Sequence, residues 1–259
     1  MTIKAKVRLF ILILLTSFWI ADCQSTVPAS TPASVGTLPE PTTVTPGLVG
    51  SFLAGYDFPS SIDPAKNYLF YLHGKIIEDQ GLHAVSPDFG EYEYQAILEK
   101  LESQGFEVIS EQRSQGTFAE EYASRVVEQI KTLKDAGVPA ENITVVGASK
   151  GAGIAATVSS LVKDPKINFV LLGFCAPDTV RELVRHRMSL YGNVLAIRDA
   201  VDNLSGSCQE LFDFSKGKGL GRHDEIVLNI GTGHGILYKP LDEWIQPTVD
   251  WAKDCACNE

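Results

Sequence analysis

The chain has 259 residues, 44% of them hydrophobic, and a net charge of −10 at neutral pH. This length is enough for one domain with a substantial core. No cluster of basic residues is present, which argues against a nucleic-acid partner, and we see no internal repeat.

Residues 1–23 have the pattern of an export signal. Basic side chains within 4–8 precede an apolar run at 9–20, which is too short to span a bilayer. Two interpretations stay open at Cys23. The leader is cleaved after this residue, or Cys23 is acylated as in a bacterial lipoprotein and anchors the chain to a membrane, although Asp22 departs from the usual lipoprotein pattern. Both predict an exported protein that is periplasmic, secreted or membrane-anchored.

Residues 24–47 are rich in Pro, Ser and Thr and have no apolar periodicity. This composition predicts a flexible or polyproline-like tether. The remainder, 48–259, is predicted to fold as one domain.

Apolar runs alternate with amphipathic stretches along that domain. In chain order, the sequence predicts a strand at 68–72, a helix around 94–101, a strand at 106–110, a helix from 118 to about 137, a strand at 143–147 with a helix after it, a strand at 168–174, a helix near 178–189, strands at 194–197 and 226–230, and a helical region around Trp244 and Trp251 interrupted by Pro247. Strands separated by helices predict an α/β protein with a mostly parallel central sheet and helices on both faces. Ligands of such sheets bind at the carboxyl ends of the strands.

The stretch 143–151 reads Ile-Thr-Val-Val-Gly-Ala-Ser-Lys-Gly, which is a strand followed by G-x-S-x-G centred on Ser149. A strand, a tight turn with a serine and then a helix is typical of a nucleophile elbow. Gly147 and Gly151 lack Cβ atoms, which lets the strand and helix backbones approach closely. A turn that only packs tightly or holds a phosphate is the alternative for this motif.

A histidine and an acid follow in the order that such a serine requires. His234 lies in Gly-Thr-Gly-His-Gly at 231–235, directly after the last predicted strand, and is predicted to be the general base. Asp202 and Asp199 both follow the strand at 194–197. We favour Asp202 as the partner of the histidine, with Asp199 as the alternative acid or as a residue that ties up the loop.

The loop after the first predicted strand contains His73-Gly74-Lys75. His-Gly at this place is frequent in oxyanion holes. The backbone N–H groups of Lys75 and of Lys150, the residue after the serine, are therefore predicted to bind an oxyanion. The alternative is a glycine that merely ends the strand.

Over residues 66–253 the chain resembles the α/β-hydrolase superfamily. The resemblance rests on His73-Gly74, on the motif from Gly147 to Gly151, and on Asp202 and Gly233-His234 in the family's order. It implies that 48–259 is a catalytic domain in which Ser149 attacks an acyl carbon, His234 moves the proton and Asp202 supports the imidazole.

Two departures from the family pattern are visible. The segment before residue 66 is too short to show the first strands clearly. Fewer than twenty residues separate the strands at 168–174 and 194–197, where many relatives insert a lid. We therefore expect no large lid and an open site, with Glu78, Asp79 and the loop to Tyr94 as one wall.

Cysteine content is consistent with export. Apart from Cys23, the chain has Cys175, Cys208, Cys255 and Cys257. The last two are too close to pair comfortably with each other, whereas Cys208 could pair with either of them or with Cys175. No spacing resembles a zinc site, so the sequence predicts no metal or other cofactor.

The predicted function is that of an exported serine hydrolase cleaving a small carboxylic ester through an acyl-enzyme. Acyl transfer or peptide hydrolysis with the same triad, and a non-catalytic envelope module that binds ligands on the same fold, are the alternatives. The sequence does not determine the oligomeric state.

Overall fold

A computed structural model describes residues 56–254. The predicted leader and tether, Cys23, and the cysteines at 255 and 257 lie outside the described residues. In chain order the elements are β1 (Asn67–Leu72), α1 (Lys75–Gln80), β2 (Val85–Ser86), β3 (Gly90–Glu91), α2 (Tyr94–Ser103), β4 (Phe106–Ile109), α3 (Ala119–Asp135), a 3-10 turn (Ala140–Asn142), β5 (Ile143–Ala148), α4 (Lys150–Val162), β6 (Asn168–Leu172), α5 (Pro177–Arg185), β7 (Gly192–Asp199), α6 (Gln209–Ser215), β8 (Leu220–Leu228), a 3-10 helix (Gly233–Tyr238) and α7 (Asp242–Asp254).

Six of these strands form one sheet in the order β4-β1-β5-β6-β7-β8, and every neighbouring pair is parallel. The register sets Leu72 opposite Gly147, Ala148 opposite Leu172, and Leu172 opposite Ile197. The carboxyl ends of β1, β5, β6 and β7 therefore meet at one edge of the sheet. Each sequence-predicted site residue lies near the carboxyl end of β1, β5 or β7, or in the segment that follows one of these strands or β8.

Alternate residues of the strands enter two different cores. In β1, Tyr68 and Phe70 pack on the face covered by α3, α4, α5 and α6. Leu69 and Tyr71 pack on the opposite face with α1, α2 and α7. Successive side chains of a strand point to opposite faces of the sheet, and both faces are covered by helices. The strands are therefore apolar at nearly every position.

The predicted α/β class, the parallel sheet and the helices on both faces are confirmed. The expectation of no large lid after β6 is also confirmed, since only α5 separates β6 from β7. Among the described residues, no helix is both long enough and apolar enough to cross a membrane.

Several boundaries differ from the prediction. Helix α7 runs through Pro247 without interruption, because Trp244, Val249 and Trp251 pack into the core and tertiary contacts override the local proline signal. Strand β8 begins six residues earlier than predicted and includes His223, which the sequence placed before the strand. Its first half is polar because β8 is an edge strand, so it lacks the apolar run of the central strands.

Candidate active site

Ser149 lies on the sharp turn between β5 and α4. Its backbone has φ 52° and ψ −113°, a conformation that non-glycine residues rarely adopt. Its N–H donates to the carbonyl of Leu172 on the neighbouring strand at 2.9 Å, which fixes the turn to the sheet. The local sequence thus builds a strained turn whose serine stands at the edge of the sheet.

The two glycines of the motif are required by close backbone approach. A Cβ atom on Gly147 would lie 2.3 Å from the carbonyl oxygen of Gly151, and one on Gly151 would lie 1.8 Å from the carbonyl oxygen of Leu72. Any side chain at either position would separate α4 from β5 and β1. The spacing G-x-S-x-G is therefore a steric requirement of this turn.

His234 lies in the 3-10 helix Gly233–Tyr238 that follows β8, and it is 8% exposed. Its Nδ1 is 2.8 Å from Oδ2 of Asp202. Because a carboxylate can only accept, Nδ1 carries the proton and Nε2 is left as the basic nitrogen. This is the arrangement that a general base requires.

Asp202 is itself held by several donors. Its Oδ2 also accepts from the Ser205 hydroxyl at 2.7 Å, and its Oδ1 accepts from the Leu204 N–H at 2.9 Å. Burial acts to raise the pKa of Asp202, but the hydrogen bonds from His234, Ser205 and Leu204 outweigh it and lower the pKa below the usual value. The carboxylate therefore stays charged beside the imidazole.

Asp199 occupies a different place and does not contact His234. Its Oδ2 accepts the backbone N–H groups of Thr232 at 2.8 Å and Gly233 at 3.2 Å, and its Oδ1 accepts the Val201 N–H at 3.3 Å. Burial raises the pKa of Asp199, yet these backbone donors bring it below the usual value. The structure thus places Asp199 under the loop that carries the histidine.

Ser149 and His234 line the same cavity, which has a volume of about 180 Å³. The other lining residues are mainly apolar or aromatic: Gly74, Lys75, Ile76, Phe89, Tyr92, Leu204, Leu237 and Tyr238. Two larger cavities lie elsewhere, one of about 400 Å³ beside Tyr94 and one of about 340 Å³ beside Tyr122, and neither contains a member of the predicted triad.

The loop that leads to Tyr94 supplies one wall of the 180 Å³ cavity, as expected, but the small hairpin within this loop was not predicted. Strands β2 and β3 pair in an antiparallel fashion and place Phe89 between them. The Phe89 ring centroid lies 6.2 Å from that of His234 and 5.3 Å from that of Tyr238. Two-residue strands carry almost no periodicity, so the hairpin has no sequence signal beyond the turn residues Pro87 and Gly90.

The two predicted oxyanion donors begin two helices. Lys75 is the first residue of α1 and Lys150 the first residue of α4. The first N–H groups of a helix have no partner within that helix and lie at its positive end. A Cβ atom on Gly74 would lie 3.9 Å from Cβ of Ser149, which shows that the loop of Lys75 reaches the serine.

His73 is fully buried and does not line the cavity. Its Nδ1 donates to the Gly74 carbonyl at 2.8 Å, and its Nε2 accepts the Arg113 N–H at 2.9 Å. Burial and the neighbouring Arg113 charge lower the pKa of His73 well below 6.5. The imidazole is thus a neutral structural group behind the loop that contains Lys75.

A buried group of charges that the sequence did not predict lies behind the same loop. Glu78 was expected in an exposed wall, but its carboxylate is buried and pairs with Arg113 and Lys150. Only Asp79 remains on the surface, where it pairs with Lys75.

Cys175 and Cys208 form a disulfide, one of the pairings that the sequence left open. It joins the segment that follows β6 to the residue that precedes α6, and the Gly206 N–H donates to the Phe174 carbonyl beside it at 2.9 Å. The disulfide therefore anchors the C-terminal end of the loop that contains Asp202. Within residues 56–254 no group of three or more His, Cys, Asp or Glu side chains could hold a metal ion.

No protein-family model matches the sequence, and no curated protein is significantly similar to it. Solved structures do resemble the fold. Arabidopsis thaliana SOBER1 superposes with a TM-score of 0.52 at 14% identity, over 74% of this chain and 100% of its own. A protein of unknown function from Agrobacterium tumefaciens, provisionally described as an alpha/beta hydrolase, has a TM-score of 0.52 at 19% identity, over 77% of this chain and 90% of its own. The chain has the α/β-hydrolase fold.

Proposed function

We propose that this protein is an exported serine hydrolase that cleaves small carboxylic esters. The observation that carries the proposal is the hydrogen bond from His234 to Asp202, made by a histidine that shares one cavity with an elbow serine. A fold of this kind serves many functions, so the argument rests on the site and not on the likeness to other structures.

In the proposed reaction the Ser149 Oγ attacks the acyl carbon while His234 Nε2 takes the hydroxyl proton. The carbonyl oxygen becomes an oxyanion that accepts the backbone N–H groups of Lys75 and Lys150. When the intermediate collapses, the C–O bond to the alcohol breaks and His234 returns the proton to the leaving oxygen. Water then hydrolyses the acyl-enzyme by the same steps.

Asp202 has two tasks in this scheme. It holds the proton on Nδ1 of His234, and its negative charge stabilises the imidazolium formed in each half-reaction. Its lowered pKa supports this role, because the carboxylate remains ionised wherever the imidazole can act as a base.

The size of the cavity favours small substrates. Pockets that bury drug-sized ligands measure roughly 300–1,000 Å³, whereas the cavity at Ser149 has about 180 Å³. Its apolar walls suit a short acyl group better than a charged one. Hydrolysis of a small ester is therefore favoured over hydrolysis of a peptide, which needs an extended groove for the chain on both sides of the bond.

The disulfide supports export. Such bonds persist in oxidising compartments and are rare in the cytosol, and the Cys175–Cys208 bond is buried in the domain. Together with the apolar leader at 9–20, it favours a periplasmic, secreted or lipid-anchored protein.

The proposal is tested with a fluorophosphonate probe and a short p-nitrophenyl ester. Wild-type protein should gain the mass of one phosphonyl group and hydrolyse the ester, and Ser149→Ala should do neither while its melting temperature stays close to that of wild type. Full ester turnover by Ser149→Ala would refute the triad, and a wild type that neither labels nor hydrolyses would favour a ligand-binding module.

A further inference from the structure

The two segments that supply the oxyanion donors are joined by a buried ion network. Glu78 lies in α1, three residues after Lys75, and its Oε2 accepts from the ammonium of Lys150 at the start of α4. Its Oε1 accepts from Nε of Arg113 at 2.7 Å. One carboxylate thus connects the first turn of α1 to the first residue of α4.

Arg113 extends this network to the loop that precedes α1. Its Nη2 donates to the carbonyl oxygen of His73, and its backbone N–H donates to the His73 imidazole at 2.9 Å. A Cβ atom on Gly151 would lie 2.7 Å from the same His73 carbonyl oxygen. The peptide that leads into the oxyanion loop therefore packs directly on α4 and is held by Arg113 from another direction.

The network is a poor source of stability. The Glu78 and Arg113 side chains are both 0% exposed, and buried ion pairs are often no better than apolar residues of equal volume. Nη1 of Arg113 is buried without a hydrogen-bond partner among residues 56–254, although the guanidinium lies 5.3 Å from the Tyr122 ring centroid. An arrangement of this kind needs a reason other than the free energy of unfolding.

The net charge of the Lys150–Glu78–Arg113 network also suits a site where an oxyanion forms. Lys150 and Arg113 carry two positive charges against one negative charge on Glu78, and His73 is neutral. The Lys150 ammonium is fixed by a second acceptor, the Thr117 carbonyl at 2.7 Å. Both acceptors hold the ammonium outside the cavity at Ser149, whose lining does not include Lys150.

We propose that the Lys150–Glu78–Arg113 network is a positioning device that sets the distance between the Lys75 and Lys150 N–H groups. The three side chains act through the backbone donors and do not touch the substrate. This inference rests on the proposed function, because an oxyanion hole matters only if an acyl carbon is attacked. Losing one such donor typically lowers kcat by about 10²–10³, and a donor that is present but displaced should lose less.

Lys150→Met is the sharpest variant, because it keeps the Lys150 N–H and leaves Glu78 paired with Arg113. We expect kcat for p-nitrophenyl acetate to fall about tenfold or more, with KM within about twofold of wild type. Affinity for phenylboronic acid, which forms a tetrahedral adduct with an active serine, should fall by a similar factor. Lys150→Arg should restore both, since its guanidinium can reach Glu78.

Lys134→Met is the matched control. Lys134 lies on α3 and forms a partly exposed ion pair with Asp164, away from the cavity at Ser149. The same substitution should therefore leave kcat and boronate affinity unchanged. Glu78→Gln should resemble Lys150→Met, and the double variant should lose little more, because both changes break the same link. If Glu78→Gln fails to fold, the kcat and boronate affinity of Lys150→Met test the proposal alone.

The outcomes separate this inference from the proposed function. Wild-type kcat and boronate affinity in Lys150→Met, in an enzyme whose activity depends on Ser149, would overturn the positioning role only. A loss of melting temperature with an unchanged kcat would also overturn it. Wild-type protein without any Ser149-dependent esterase activity would overturn both.

Discussion

Asp199 holds Gly233, the residue before His234, through a hydrogen bond of 3.2 Å from the Gly233 N–H to Oδ2. The acid three residues further on, Asp202, instead accepts from the imidazole itself at 2.8 Å. The two carboxylates thus position His234 in different ways. Asp199 holds the backbone before the histidine, and Asp202 holds the imidazole ring.

Asp202→Asn should lower kcat for a short ester by roughly 10³–10⁴-fold, because an amide can neither fix the proton on Nδ1 nor stabilise the imidazolium. KM should change little, since Asp202 does not line the cavity. Steady-state kinetics with p-nitrophenyl acetate measures both constants. A variant with more than a tenth of wild-type kcat would contradict the assignment of the acid.

Asp199→Asn should act chiefly on stability. The substitution removes a charged acceptor of three backbone N–H groups, and such bonds contribute about 1.5–3 kcal/mol each to the free energy of unfolding. Urea unfolding should show a loss of a few kcal/mol, with a fall in kcat much smaller than that of Asp202→Asn. If the two variants exchanged these phenotypes, Asp199 and not Asp202 would be the catalytic acid.

Stability should decrease when the pH falls below about 6.5, because His73 is buried in its neutral form. Its folded pKa lies well below the usual 6.5, so the unfolded chain binds more protons between the two values and acid favours unfolding. The contribution is fully present above the unfolded pKa and is lost at up to about 1.4 kcal/mol per pH unit below it.

Urea unfolding at pH 8, 6 and 5 measures this slope. His73→Gln keeps a neutral acceptor for the Arg113 N–H and has no group that titrates, so its stability should vary less with pH over this range. Equal slopes for wild type and variant would show that His73 is not the group responsible.

The Cys175–Cys208 disulfide should stabilise the domain and the loop of Asp202. It encloses a sequence separation of 33 residues, for which the loss of chain entropy in the unfolded state corresponds to about 4 kcal/mol. The Cys175→Ser/Cys208→Ser variant should therefore unfold at lower urea concentration and lose part of its kcat. Intact mass before and after alkylation checks the bond, and alkylation of both cysteines without prior reduction would disprove it.

Local patterns predicted the residues of the candidate site, and long-range contacts explain what was missed. The motif around Ser149 is encoded in nine adjacent residues, and Asp202 and His234 were found from the order in which partners follow an elbow serine. Arg113 and Glu78, by contrast, are 35 residues apart and meet only because β1 and β4 are neighbours. The residues adjacent to Arg113 or Glu78 in the sequence do not indicate that either side chain is buried. Helices α1 and α6 were missed because six or seven residues are too few to establish a period of 3.6.

The acyl group accepted by the enzyme should be short, and Phe89 should set its limit. Its ring packs near those of His234 and Tyr238 in the wall of the 180 Å³ cavity, so the ring limits the room for a longer chain. A p-nitrophenyl series should show kcat/KM highest for acetate or butyrate, with no increase when the ester forms micelles. Phe89→Ala should shift the optimum towards longer chains, because it removes the ring but keeps the Ser149, His234 and Asp202 side chains. Val85→Ala, at an exposed position of the same hairpin, should keep the wild-type profile. A wild-type maximum at palmitate with activation by micelles would show instead that the hairpin of β2 and β3 opens as a lid.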